Sequence, residues 1–359
     1  MNKKTSIKKK SNKLNLKHIL LISIILIGLI IPFFVKDTII IFITSFLAII
    51  PLAYYVGYAT EELANYYSSV IGGLISSTFG NLTELVIAIF AIKSGLIEVV
   101  KASITGSIIG NILFVFGTGV LLAGFKYKEQ KLSSSLTDIN STLLLITMLL
   151  FLLPSLLPIF HEQAHVETIS LLLAGVMLLI YISSLIFSLI THKEWFIDTS
   201  SIKRKPEISK LKAFTILFIT TLALLVISDS FVGTLETFSH ILNLNELFVG
   251  VVIVGLVGNV AEHMFAVSLA FKNKVDLLIT ASIGSALQIA LLVTPLMVFI
   301  AAFYGKELTL LFTPLEIVAI ISSVLLINEI NKDKFVNWFE GLALVLLYCV
   351  IAILFFYSS

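Results

Sequence analysis

The sequence predicts an all-α polytopic membrane protein of eleven transmembrane helices, one peripheral helix plus two inverted five-helix repeats. Three observations carry this reading. The first is composition: of 359 residues, 58% are hydrophobic and 13% charged, about half the charged share of a soluble domain, with a mean hydropathy of +1.06. The second is the length of the apolar stretches, and the third is a self-match between the two halves of the chain. A soluble globule, a disordered chain and a collagen-like fibre are all excluded.

Backbone polar groups cannot be left unpaired in lipid, so each span must be a helix of roughly 20 residues or a strand of a closed barrel. Barrel strands alternate apolar and polar residues, and stretches such as HILLISIILIGLIIPFFV do not. Eleven apolar segments follow in order: 18–35, 38–58, 70–92, 97–123, 137–158, 166–190, 211–230, 246–271, 275–304, 313–328 and 336–357. The longest leave room for tilt or a break. A cleaved signal peptide needs a small-x-small site, and PFFVKD follows the first stretch instead.

Charge placement sets the orientation. With the N-terminus in the cytoplasm, 20 Lys/Arg fall in the tail and inner loops, and 4 (Lys36, Lys93, Lys101, Lys306) on the outer side, as the positive-inside rule requires. The expected location is therefore a cell membrane, with the C-terminus outside. The seven lysines of the first 17 residues read as a membrane-flanking anchor, not a nucleic-acid patch. The expected units are a tail and peripheral helix (1–36), a first repeat (37–190), a basic linker (191–210) and a second repeat (211–359).

GNLTE at 80–84 recurs as GNVAE at 258–262, and Gly106-Ser107 recurs as Gly284-Ser285, both at an offset of 178. Gly72, Ile75, Ala88, Leu113 and Val115 repeat at the same offset. Five spans per unit is an odd number, so the two units cross in opposite senses. That arrangement is typical of secondary transporters, whose substrate sits at the midplane between the repeats.

Glu84 and Glu262 lie near the middle of their spans, where an isolated charge costs about 2.5–3.5 kcal/mol. Two such residues at equivalent positions call for compensation by a bound cation or by protons. A protonated, hydrogen-bonded structural carboxyl is the alternative. Asn81 and Asn259 stand three residues earlier, on the same helical face. Gly80 and Gly258 precede them and allow the helix to loosen, although close packing explains most glycines in spans. Carboxylate and amide oxygens suit a hard cation such as Ca²⁺.

Ser107 and Ser285 are equivalent, while Asn111 and Gln288 lie three or four residues beyond each serine. These four read either as cavity lining or as interhelical hydrogen bonds. His263, about 100° around the helix from Glu262, reads as a packing residue or a proton relay. Glu61 and Glu62 in an inner loop, and Asp229, Glu236 and Glu246 in or near an outer one, read as solvated loop charge or as cation attraction at the mouths. His161 and His165 have an i, i+4 spacing without a third ligand. The lone Cys349 excludes a disulfide framework.

These residues resemble a known family. GNLTELVIA and GNVAEHMFAVSLAFKNKVDL are similar to the two signature repeats of the cation/proton exchangers, the Ca²⁺/H⁺ antiporters of the Ca²⁺/cation antiporter superfamily. The likeness runs from about Tyr58 through GSIIGN, and again from Asp229 through GSALQIALLVTP. It implies eleven helices and alternating access, with Glu84 and Glu262 alternately protonated and Ca²⁺-binding, beside Asn81 and Asn259. Expected partners are Ca²⁺, protons and the lipid bilayer, without nucleic acid; a homo-oligomer is left open. No cofactor and no enzymatic activity are expected, and no G-x-x-x-x-G-K-[ST] loop of a nucleotide-driven pump occurs. The rival readings are Na⁺/Ca²⁺ exchange on the same scaffold and a cation channel with a paired-carboxylate filter.

Overall fold

The computed structural model describes residues 2–157, 165–192, 194 and 205–358. Among them nine helices are long and apolar enough to cross a membrane, and two bent pairs bring the number to eleven when each pair counts as one span. In order they are α1 (Asn2–Phe34), α2 (Thr38–Ala64), the pair α3 (Ser69–Gly80) and α4 (Leu82–Lys93), α5 (Ile97–Tyr127), α6 (Ser134–Ser155), α7 (Val166–Thr191), α8 (Lys210–Ile241), the pair α9 (Glu246–Gly258) and α10 (Val260–Ala270), α11 (Val275–Phe303), α12 (Pro314–Ile330) and α13 (Trp338–Tyr357). Two three-residue strands, β1 (Glu129–Lys131) and β2 (Phe335–Asn337), pair antiparallel with Gln130 opposite Val336.

α1 lies on the outside of α2 and α8 and keeps most of its apolar surface outward. α2 and α8 pack along each other, with Phe42 stacked on Phe231 and Phe238 at centroid distances of 5.1 and 3.7 Å. Inside them, α4, α9 and the first halves of α5 and α11 form the buried centre.

The bends fall at equivalent places. α3 and α4 meet at 40° around Asn81, and α9 and α10 meet at 57° around Asn259. α5 and α11 each widen into a π-type turn, over Gly110–Val115 and Ile289–Val293, which match at the offset of 178 to within one residue. In α11 the cause is visible. Pro295 cannot donate to the carbonyl four residues back, and the Thr294 hydroxyl donates to the Ile289 carbonyl at 2.8 Å.

Loops sort into two ends. At one, β1 pairs with β2, the Tyr127 hydroxyl donates to the Phe271 carbonyl at 3.0 Å, and the Ser133 N–H donates to Asp276 at 2.8 Å. At the other, the Leu310 and Phe312 N–H groups donate to Ser170 and Ser155 at 2.9 and 3.0 Å, and Asn245 donates to the Phe355 carbonyl at 2.9 Å. Each set joins only loops that the charge pattern places on the same side.

Three expectations need correction. α8 runs to Ile241, not 230, so Asp229 and Glu236 are helical and the loop shrinks to 242–245. α2 runs to Ala64, so Glu61 and Glu62 are helical as well. Glu62 is not solvated: it is 2% exposed, and its carboxylate accepts the backbone N–H groups of Glu207 and Ile208 at 2.6 and 3.2 Å. A carboxylate at a helix C-terminus is disfavoured by the macrodipole, and these two donors from the end of the linker compensate it. His161 and the basic run of the linker, 195–204, lie outside the described residues.

Candidate functional site: a pair of carboxylates at two helix breaks

Asn81 and Asn259 are the residues at which the helices break. Their backbones match, with φ/ψ of −99/26° and −92/19°, and each starts a half-helix as its N-cap. Glu84 and Glu262 then fall in the first turns of α4 and α10, where the partial positive charge of a helix N-terminus favours a carboxylate. Asn-x-x-Glu is the spacing of a capping box, yet neither asparagine side chain makes a capping hydrogen bond to the half-helix it starts.

Instead each asparagine reaches into the other half of the chain. The Asn81 amide donates to Gln288 at 2.8 Å and its oxygen accepts from Ser285 at 3.3 Å, both on α11. The Asn259 amide donates to Ser107 on α5 at 2.8 Å and to the Gly255 carbonyl at 2.7 Å, while its oxygen accepts from the Asn111 amide. The Asn111 amide also lies 3.5 Å from the Ser285 hydroxyl. Ser107, Ser285, Asn111 and Gln288 thus tie the two breaks together. Asn111 and Gln288, which are not equivalent in sequence, serve equivalent partners. All four make interhelical hydrogen bonds, and Ser107 also lines the cavity that Glu84 faces.

The carboxylates differ. Glu84 is 7% exposed, and neither oxygen accepts a hydrogen bond from the protein. It faces a cavity of about 10 Å³ bounded by Ser103, Ser107, Val254, Gly258, Val293 and Met297, space for about one water-sized particle. Its Cγ takes the place of a side chain on Gly258: a Cβ there would lie 2.8 Å from it. Glu262 is half-buried, with one oxygen at a long 3.5 Å from the Ser285 hydroxyl and the other unpartnered. His263 does not bond to either; its ring meets Phe114 edge-on at 5.3 Å.

Among the described residues no three His, Cys, Asp or Glu side chains cluster as a metal centre would. Two carboxylates, two amides and two or three hydroxyls remain, an all-oxygen set suited to a transported hard cation. Ser103 lies one turn before Ser107 and has no counterpart in the sequence repeat that would mark it. Glu316 likewise carries no local sequence signal of its partner on α5. Fully buried in α12, it accepts from the Thr105 hydroxyl of α5 at 3.1 Å and from the Thr313 N–H at 2.8 Å.

Two equivalent broken spans, each with an acidic residue at its break, are the architecture of a secondary transporter. The comparisons with known proteins narrow that class. Residues 37–190 and 212–357 each match the family described as sodium/calcium exchanger protein, and the chain belongs to that family. It is 40% identical over 339 residues to a Ca²⁺/H⁺ antiporter of Aphanothece halophytica, covering 89% of this chain and 91% of the relative. It is 39% identical over 313 residues to the Ca²⁺/H⁺ antiporter ChaA of Bacillus subtilis, covering 86% and 89%. The solved structure of native YfkE superposes with a TM-score of 0.83 at 35% identity, covering 94% of this chain and 98% of that one.

Proposed function

We propose that the chain is a secondary Ca²⁺/H⁺ antiporter that works by alternating access and expels Ca²⁺ from the cytoplasm of a cell against inward proton flow. The observation that carries this reading is the pair Glu84 and Glu262, at two equivalent helix breaks tied together by hydrogen bonds between the halves. Deprotonated, the pair holds Ca²⁺ with help from Asn81, Asn259 and the nearby hydroxyls. Protonated, it is neutral and crosses without the cation. Transport needs no cofactor beyond the exchanged ions.

The halves 37–190 and 211–359 are the two repeats, opposite in sense because each crosses five times. The matching bends and π-type turns support this, as does the sorting of loops to two ends. The end that carries β1 and β2 is cytoplasmic, since it bears the excess of Lys and Arg.

The test is Ca²⁺ uptake into everted membrane vesicles with an imposed pH gradient, with and without Na⁺. Saturable uptake that collapses with the gradient and ignores Na⁺ supports the reading. Uptake that requires a Na⁺ gradient assigns Na⁺/Ca²⁺ exchange, and large unitary currents assign a channel.

A further inference from the structure

The two repeats pack differently at equivalent glycines. At the outer end α5 is pressed against α9: a Cβ on Gly106 would lie 2.1 Å from the Val251 carbonyl oxygen, and one on Gly250 would lie 2.4 Å from Ala102. Their counterparts at the offset of 178 are Gly284 on α11 and Gly72 on α3. A Cβ on Gly284 meets nothing within 4 Å. Gly72 abuts the Ala64 carbonyl of α2 instead, and its neighbour Gly73 abuts Leu189 of α7. Thr280, the counterpart of Ala102, is exposed. The same contrast holds at the carboxylates: Glu84 fills the place beside Gly258, while the space beside Gly80, the counterpart of Gly258, is open within 4 Å.

We infer that Gly284 and Gly80 are positioning residues for exchange, left open here because they receive their neighbours only in the opposite, outward-facing state. In that state α3 closes on α11 with Gly284 against the α3 backbone near Gly73, Thr280 is covered by Gly72, and Glu262 seats beside Gly80. Meanwhile α5 parts from α9 and Glu84 leaves Gly258. The assignment rests on the antiporter reading for its direction, but the packing contrast stands by itself. Its consequence is unusual for a glycine: the methyl of alanine at 284 would have no neighbour from another helix within 4 Å and alanine is favoured in a helix interior, so a loss of transport points to a state other than this one.

The experiment uses Gly284→Ala in the full chain, with Gly175→Ala (also open within 4 Å) as control. Gly284→Ala is expected to keep the wild-type melting midpoint and to lose at least tenfold in Ca²⁺/H⁺ exchange, while Gly175→Ala keeps both. A cysteine at Thr280, on a Cys349→Ser background, is labelled in everted vesicles with a membrane-impermeant thiol reagent. During turnover, labelling slows severalfold in the otherwise wild-type chain and stays fast with Gly284→Ala added. Exchange by Gly284→Ala at the wild-type rate, or equal slowing in both backgrounds, overturns the inference. If the wild type exchanges no Ca²⁺, the antiporter reading fails, and labelling with and without Ca²⁺ still decides the packing switch by the same criterion.

Discussion

Glu84 and Glu262 follow the same local sequence, start the same kind of half-helix and still meet different surroundings. One is buried against Gly258 with both oxygens unpartnered; the other is half-buried and touches Ser285. Local sequence therefore sets the position of each carboxylate, and packing between the repeats sets its environment. An exchanger built from two equivalent halves must be unequal at any instant if the site is to open to one side only. On the proposed alternating-access reading, the inequality of the two glutamates is that asymmetry at atomic scale.

The largest expected effect breaks the comparison outright. Glu84→Gln or Glu262→Gln keeps the shape and removes one charge of the pair, and ligand charge count is a main determinant of Ca²⁺ affinity. On the proposal that both carboxylates hold the cation, each is expected to lower exchange by about 100-fold. Ca²⁺ uptake against an imposed pH gradient reads this directly. Robust exchange in either single variant would make that carboxyl a structural group and leave its partner as the sole ion site.

Acidity acts on both residues together. On the proposal that the deprotonated pair holds Ca²⁺, protons and Ca²⁺ compete. Lowering pH on the Ca²⁺-binding side weakens Ca²⁺ binding, and raising it restores binding. The apparent Ca²⁺ constant is expected to rise by up to about tenfold per pH unit for each proton displaced, with a much smaller change in maximal rate. Initial uptake rates over a series of Ca²⁺ concentrations and pH values separate the two. A maximal rate that falls while the apparent constant holds would place the proton site elsewhere.

A smaller effect sharpens the comparison at the glycines. Gly258→Ala sets a methyl 2.8 Å from the Glu84 Cγ, and overpacking of this kind costs about 1–3 kcal/mol. Gly80→Ala meets nothing within 4 Å. Thermal melting in detergent is expected to show a lowered midpoint for the first and none for the second. Equal midpoints would mean that Glu84 leaves Gly258 at little cost.

Much of this architecture is legible in the sequence because lipid enforces it. Spans, their order and the pairing of Glu84 with Glu262 follow from apolar length and the repeat offset. What escaped has a common cause: it depends on contacts distant in the chain. Nothing local marks Glu62 as buried, since its donors lie on Glu207 and Ile208, 145 and 146 residues away. Nor does helical periodicity predict that Asn81 turns from its own helix toward Gln288, because the reading of both residues on unbroken helices misplaces the break. Length misled at α8, where TLETFSHI continues the helix although its polar residues resemble a loop.

The smallest effect separates the two asparagines. Asn259 is 1% exposed and satisfies Ser107, the Gly255 carbonyl and Asn111, whereas Asn81, at 3%, satisfies Gln288 and Ser285. Alanine at either position strands its partners, and hydrogen bonds between membrane helices contribute about 0.6 kcal/mol each on average, up to about 1.7. Asn259→Ala is therefore expected to lower stability by about 2 kcal/mol and Asn81→Ala by about 1 kcal/mol. Both variants keep the two titrating carboxyls, so proton coupling survives while apparent Ca²⁺ affinity falls a fewfold through the lost amide oxygen. Melting midpoints rank the structural share, and uptake kinetics isolate the ligand share. If affinity stays at the wild-type value in both while stability falls, the amides serve only to tie the breaks together, and the cation is held by the carboxylates and hydroxyls alone.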